Sequence, residues 1–315
     1  MHNLRELKGQ AIASRMMTAY LQAHPPPLMI LHGPDGTGKW SAAEAFIQQS
    51  MCEVGTGCGS CPACRKILRG EHPDFIRFPE DRTYIGETTD PAEFTVRWLL
   101  NTRLCYTPFD GHIRYVLFPR ADLIQHEAET ALLKTLEEPP EHTRFIFLVR
   151  NLDDLKQTVV SRGVAIPFRL LPEAAMKELG GELNDAELRL LGGSLHLAPF
   201  LRTELYRKMS EMIRNGLEHP QALVQLEKWI HQGERSRFAD SLPADEGFEF
   251  LELLDIFGLL LLENLAGHPL RQTLAPVVFE FKAQLHREMS GLHQYLLGRL
   301  FQKLDRILFR REKAG

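Results

Sequence analysis

Two groups of residues in this sequence have the types and the spacing to do chemistry. The first is Cys52, Cys58, Cys61 and Cys64, in the spacing C-x5-C-x2-C-x2-C, with turns at Gly59-Ser60 and Pro62-Ala63. Such a run can fold several thiolates around one ion. Four thiolates make a closed tetrahedral Zn²⁺ site with no open position, which is structural rather than catalytic. An iron–sulfur cluster is the rival, because CxxCxxC runs occur there too. Clustered cysteines in a long chain with no secretion signal point to metal rather than to a disulfide scaffold. The fifth cysteine, Cys105, is remote from the cluster and reads as a buried thiol.

The second group is Gly33-Pro34-Asp35-Gly36-Thr37-Gly38-Lys39. An apolar run, Leu28 to Leu31, precedes it and a helical segment follows. Glycines in that place let backbone N–H groups turn inward toward phosphate oxygens, and the next helix aims its N-terminus at the same point. Gly33, Gly36, Thr37, Gly38 and Lys39 are therefore the candidate nucleotide-binding residues, with Lys39 reaching the outer phosphates. The pattern fails one residue later. A Ser or Thr should follow the lysine to ligate Mg²⁺, and the residue there is Trp40.

The acidic half of such a site should close a later buried strand. The candidate is Tyr115-Val116-Leu117-Phe118, but Pro119 and Arg120 occupy the two positions where an Asp and a Glu would hold the metal and orient water. Asp122 lies too far along to replace either simply. Phosphoryl transfer rests on positioning and metal-assisted charge neutralisation. With Trp40, Pro119 and Arg120 in place, the chain is expected not to hydrolyse ATP. The surviving glycines and Lys39 leave binding of ADP or ATP open.

The elements that must position these groups read as an α/β fold. Helical spacing runs from Leu4 to His24 and stops at Pro25-Pro26-Pro27. Strands are expected at Leu28–Leu31, Asp74–Phe78, Tyr115–Phe118, Arg144–Val149 and Val164–Phe168. Helices are expected at Ser41–Gln49, Pro91–Thr102 and Gln125–Glu138. Strands alternating with helices argue for a parallel sheet covered on both faces. Beyond Leu171 the strand signals fade and the pattern becomes helical, with a polar loop expected within Gln232–Gly247. The stripe Leu292, Leu296, Leu297, Leu300, Phe301, Leu304, Ile307 and Leu308 marks one face of a final helix.

Composition excludes some classes. Hydrophobic residues make 44% and charged residues 25% of 315, as in ordinary globular proteins. The net charge of −4 gives no global drive toward DNA. The first ten residues lack the apolar core of a signal peptide. The longest uncharged apolar run, Ile256–Leu262, is far short of the roughly 20 residues that span a bilayer. These features point to a cytoplasmic protein with no membrane partner.

Glu129-Thr130-Ala131-Leu132-Leu133-Lys134-Thr135-Leu136-Glu137-Glu138-Pro139-Pro140 resembles the signature helix of AAA+ clamp-loader subunits, with Thr130 where Asn is usual. Ser161-Arg162-Gly163 sits where that family has Ser-Arg-Cys, and the resemblance makes Arg162 a finger projecting into the neighbouring subunit's ATP site. Gly193-Ser194-Leu195-His196 resembles the lid segment that carries a sensor arginine, here replaced by His196. The sensor position near Val149-Arg150-Asn151 lacks the usual Thr pair. The cysteines lie directly after the loop helix, as the zinc module of bacterial members does, and that decides for zinc over iron–sulfur.

The family fold then implies an AAA+ α/β domain over residues 1–170 with the zinc module at about 52–64, a helical lid over 171–205 and a helical collar over 206–315. The missing acids suit a non-hydrolysing, delta-prime type of subunit in a DNA polymerase III holoenzyme. Its implied partners are the gamma/tau ATPase and delta subunits, with the sliding clamp and primed DNA reached through the complex. Two alternatives are an active clamp-loader ATPase subunit and a zinc-knuckle protein that binds DNA itself. The second draws on Arg299, Lys303, Arg306, Arg310 and Arg311.

Overall fold

The structure is a computed structural model that describes residues 4, 7–81, 83–110, 112–232, 250–285 and 292–309. Five strands form one parallel sheet: β1 (Leu28–His32), β2 (Phe75–Arg77), β3 (Arg114–Phe118), β4 (Thr143–Val149) and β5 (Val164–Pro167), in the order β2-β3-β4-β1-β5. Every pairing is parallel, and β1 lies between β4 and β5. The chain leaves β1 for the far edge and returns strand by strand. The crevice beyond the carboxyl end of β1 is thus a topological switch point, where ligands of open α/β sheets bind.

Period two sorts the strand side chains onto two faces. Met29, Leu31, Tyr115, Leu117, Ile146 and Leu148 pack with Ala13 and Met17 of α1 (Ala11–Gln22) and with Ala43, Phe46 and Ile47 of α2 (Lys39–Met51). Leu28, Ile30, Val116, Phe118, Phe145 and Phe147 pack on the other face, against Ala128, Leu132 and Leu136 of α5 (His126–Glu137). Between these helices come α3 (Pro62–Leu68) and the short α4 (Val96–Trp98). After α5 comes the single turn α6 (Gln157–Val160).

Several elements are shorter than the sequence leads one to expect. The first helix begins at Ala11, not near Leu4, because a turn at Lys8-Gly9 precedes it and Gln10 turns its side chain to other segments. The expected helix Pro91–Thr102 is α-helical only at Val96–Trp98 and then widens into a π turn at Leu99–Arg103. Asp90 and Phe94 have φ of 52° and 60°, which no helix accommodates, and Thr95 starts the helix by accepting from Trp98 N at 3.4 Å. Cys105 is exposed, not buried; its thiol donates to Asn101 O at 2.6 Å.

The chain divides into two compact units. The first comprises Met1–Gly181 and Gly193–His196, and ends its continuous part with α7 (Glu173–Gly180). The second comprises Glu182–Gly192 and Leu197–Gly315 and is helical: α8 (Asp185–Leu191), α9 (Glu204–Glu218), α10 (Pro220–Gln232), α11 (Phe250–Asn264), α12 (Arg271–Leu285) and α13 (His293–Leu308). Its core includes Leu254, Phe257, Leu297, Leu300, Phe301 and Leu304, with Phe257 and Phe301 stacked. The last four of these are spaced to share one face of α13. Most of the loop expected within Gln232–Gly247 lies outside the described residues, as do Arg310 and Arg311. Among the described residues no helix is long and apolar enough to cross a membrane.

Candidate functional site

The glycine loop joins β1 to α2, at the switch point. Gly33 N–H donates to Val149 O and Arg150 O, which ties the loop to the end of β4. A Cβ at Gly33 would meet Phe168 O at 2.0 Å. Gly36 has φ of 63°, and a Cβ there would meet His196 N at 2.0 Å. Both glycines thus permit close approach of other backbone. The segment Gly193–His196 lies across the loop: Leu195 N–H donates to Gly36 O at 3.0 Å and Ser194 Oγ to Asp35 O at 2.7 Å.

Lys39 is buried, and its ammonium turns back on the loop. It donates to Gly33 O, to Pro34 O at 2.8 Å and to Asp35 Oδ1 at 3.4 Å. An ammonium has three hydrogens, and these three acceptors match them. Thr37 Oγ1 donates to Pro34 O at 2.7 Å. Burial lowers the Lys39 pKa, against the opposing pull of Asp35. Burial raises the Asp35 carboxyl, but the Arg150 and Lys39 charges outweigh it, and its pKa lies below the usual carboxylate value. Arg150, directly after β4, is ion-paired with the same carboxylate.

The cationic groups of the cradle are engaged within the protein itself. Lys39, the expected phosphate-facing residue, and Arg150 both face Asp35.

The residues at the other expected site positions are also engaged. Arg120 grips Asp122 through Nε, at 3.1 Å from Oδ1, and Nη2, at 2.9 Å from Oδ2. Trp40 sits against the core, and the Arg77 guanidinium stacks 4.0 Å from its ring centroid.

Arg162 follows α6 on a corner held by the signature helix. Its guanidinium is paired with Glu137 near the end of α5 and donates to Thr158 O. At the other end of the segment, Lys156 N–H donates to Glu129 Oε1 at 3.1 Å, and its ammonium lies 3.1 Å from Glu129 Oε2 and 3.0 Å from Thr130 Oγ1. Two ion pairs from one helix therefore fix both ends of the Arg162 turn. Gly163 packs so closely on β1 that a Cβ would come within 2.7 Å of Ile30 Cδ1.

The four cysteines converge as their spacing requires. Cys52 caps α2, Cys64 lies in α3, and Cys58 and Cys61 stand on the loop between. All four Sγ atoms lie within 4.8 Å of one another. Zinc–sulfur bonds of about 2.3 Å in a tetrahedron would set sulfurs about 3.8 Å apart, so the group fits a metal ion. Backbone N–H groups of Cys58, Cys61 and Cys64 donate at 3.4 Å to Cys52, Cys58 and Cys61 Sγ. Burial raises the Cys52 thiol, but the N–H groups of Cys58, Val54 and Thr56 bring it down to about 6. Burial pushes the Cys64 thiol up to about 12. A cation at the centre would reverse that, because a coordinating thiol is deprotonated.

Some organising residues escaped the sequence reading. Buried Gln10 donates to Arg169 O at 2.6 Å and to Thr37 O at 3.2 Å and accepts from Arg169 N at 3.0 Å, so one amide braces the loop against the strand-five exit. Asp74 has no exposed surface and accepts from Phe109 N and Asp110 N at 2.8 and 2.7 Å. Arg114, 3.7 Å from it, donates to the carbonyls of Arg103, Tyr106 and Thr107. Distance along the chain hides such pairs; only the Gln10 position before a helix could have drawn notice.

A parallel sheet with a glycine loop after one of its inner strands and a four-cysteine knuckle behind the loop helix defines an α/β protein of the P-loop type with an insert whose thiols could hold a metal ion. Residues 7–172 match the family model described as DNA polymerase III, delta subunit, which is 166 of the 315 residues. The chain belongs to that family.

It is similar to the DNA polymerase III subunit tau of Escherichia coli (strain K12), 29% identical over 286 residues that cover 82% of this chain and 42% of that protein. It is also similar to the DNA polymerase III subunit delta' of Yersinia pestis, 34% identical over 138 residues, 42% of this chain and 39% of that one. The chain thus spans less than half the length of these curated relatives. A crystal structure of a DNA polymerase III gamma subunit-related protein from Thermotoga maritima has the same fold. Its TM-score is 0.55 at 15% identity, over 93% of this chain and 99% of that one.

Proposed function

We propose that this chain is a non-hydrolysing, delta-prime type subunit of a bacterial DNA polymerase III clamp loader. It would act in the cytoplasm beside gamma/tau ATPase and delta subunits, and reach the sliding clamp and primed DNA through them. The observation that carries this is the committed cradle. Lys39 is engaged by Asp35 and the loop carbonyls, while Trp40, Pro119 and Arg120 fill the places of the metal and water residues. The chain's catalytic contribution is Arg162, offered to a neighbour's ATP from a corner braced by Glu129 and Glu137. A planar, permanently charged guanidinium suits charge developing on a γ-phosphate.

Cys52, Cys58, Cys61 and Cys64 hold a structural Zn²⁺ in this reading. The segment 171–205 is a lid, and 206–315 is the collar through which subunits join. The test is reconstitution with the ATPase and delta subunits, followed by Arg162→Ala. Assembly should persist, and the adjacent ATP site should lose on the order of 10³-fold in hydrolysis rate. Unchanged turnover in an intact assembly removes the finger role, and ATPase activity of the isolated chain that depends on Lys39 removes the non-hydrolysing one.

A further inference from the structure

We propose that Asp35 is a resident anion of the phosphate cradle, a carboxylate built into the loop where a polyphosphate would otherwise place its charge. This goes beyond the role proposed above, because it concerns the isolated chain and holds or fails whatever the chain assembles with. Three observations carry it. First, Asp35 lies between two cations that follow neighbouring strands of the sheet. Lys39 Nζ is 3.4 Å from Oδ1, and Arg150 Nε bonds Oδ2. Lys39 opens α2 after the loop that follows β1, Arg150 is the residue after β4, and these strands are neighbours in the sheet.

Second, Asp35 is also the residue by which the loop is strapped. Its carbonyl accepts from Ser194 Oγ, and the next carbonyl, of Gly36, accepts from Leu195 N. The side chain and backbone of one residue thus join the loop, the end of β4 and the Gly193–His196 segment. Third, the carboxylate is only about a quarter exposed. It is part of the cradle rather than a solvated side chain that an incoming anion could brush aside.

A Lys–Asp–Arg arrangement of this kind gives both cations a carboxylate partner without a ligand and lowers the local charge of the cradle from two positive to one. An anion can enter only by displacing Asp35 from both cations or by standing beside it. The closed arrangement of loop, strand end and strap therefore does not depend on nucleotide.

The test uses the full-length chain and inorganic pyrophosphate, which asks for the cradle alone and not for a base or ribose pocket. Calorimetric titrations compare wild type, Asp35→Asn, and Asp35→Asn combined with Lys39→Ala. Wild type is expected to show no saturable binding at millimolar pyrophosphate. Asp35→Asn is expected to bind at least tenfold more tightly than wild type, and adding Lys39→Ala should abolish the gain. Asp35→Ser, with thermal melts of all variants, guards against a variant that does not fold. Wild-type binding as tight as that of the variants would overturn the proposal. So would folded Asp35→Asn and Asp35→Ser chains that gain nothing.

Discussion

Asp74 and Arg114 show how much of this molecule turns on single polar residues. Each is almost entirely buried, and together they hold the loop from Arg103 to Asp110 by its backbone. That loop presents Tyr106 and Phe109 largely to solvent. Asp74→Ala would strand two backbone donors and leave a buried guanidinium without its carboxylate. Breaking such a pair costs about 3–5 kcal/mol. Urea unfolding should show a loss of that size with little change in slope; a loss under about 1 kcal/mol would mean that the pair is not a keystone.

Residues of this kind were not legible in the sequence. Asp74 reads there as the first residue of a strand, and Arg114 as a residue just before one. Their meeting depends on the parallel register of β2 on β3, which brings Asp74 O to Tyr115 N. Asp35 was hidden differently. It stands at a position of the glycine loop that the motif leaves free, and its partner Arg150 is 115 residues away. By contrast, the expectation drawn from Trp40, Pro119 and Arg120 needs no fold, because phosphoryl transfer asks for particular side chains at fixed positions.

At the level of elements, the knuckle and the signature helix differ in how they are built. The knuckle is local. Its four sulfurs come from thirteen consecutive residues, so spacing was enough to find it, and its fold is set by N–H···S bonds along one turn. Metal there would stabilise the join between α2 and α3. Cys64→Ser should lower the bound metal, measured by elemental analysis, from one ion per chain to near none and lower the melting temperature. Iron in place of zinc, or metal retained in full, would contradict the proposed site.

The signature helix acts at long range, since Glu129 and Glu137 hold residues 27 and 25 positions downstream. Sequence similarity pointed to α5 and to Arg162 separately, and only the fold joins them. The helix expected over Pro91–Thr102 failed for a different reason. Apolar periodicity does not report the left-handed backbone of Asp90 and Phe94, and two residues in that conformation outweigh the pattern.

At the level of the whole molecule, the alternation of strand side chains between two helical layers was written in the sequence as short apolar runs. The strand order and the break between compact units were not, because neither follows from periodicity. Unit two returns to the chain before unit one is finished: Glu182–Gly192 belongs to one and Gly193–His196 to the other.

Charge is the other global property. The net charge is −4, and two of the basic residues on α13 are engaged within their own unit. Lys303 is 2.7 Å from Glu280, and the Arg299 guanidinium is 5.9 Å from the Tyr295 ring centroid. The isolated chain is therefore expected to show no saturable binding to duplex DNA at physiological salt. Tight binding with a steep dependence on salt would favour the reading as a DNA-binding knuckle protein.

The stacking of Arg77 on Trp40 has a practical consequence. The chain has three tryptophans, and Trp40 is bonded directly to Lys39. Replacing Trp98 and Trp229 by Phe would leave one fluorophore, its indole facing a guanidinium at the rim of the loop. A rearrangement that shifts the first turn of α2 would move that ring relative to Arg77, so the emission of a single native residue becomes an optical gauge of that turn.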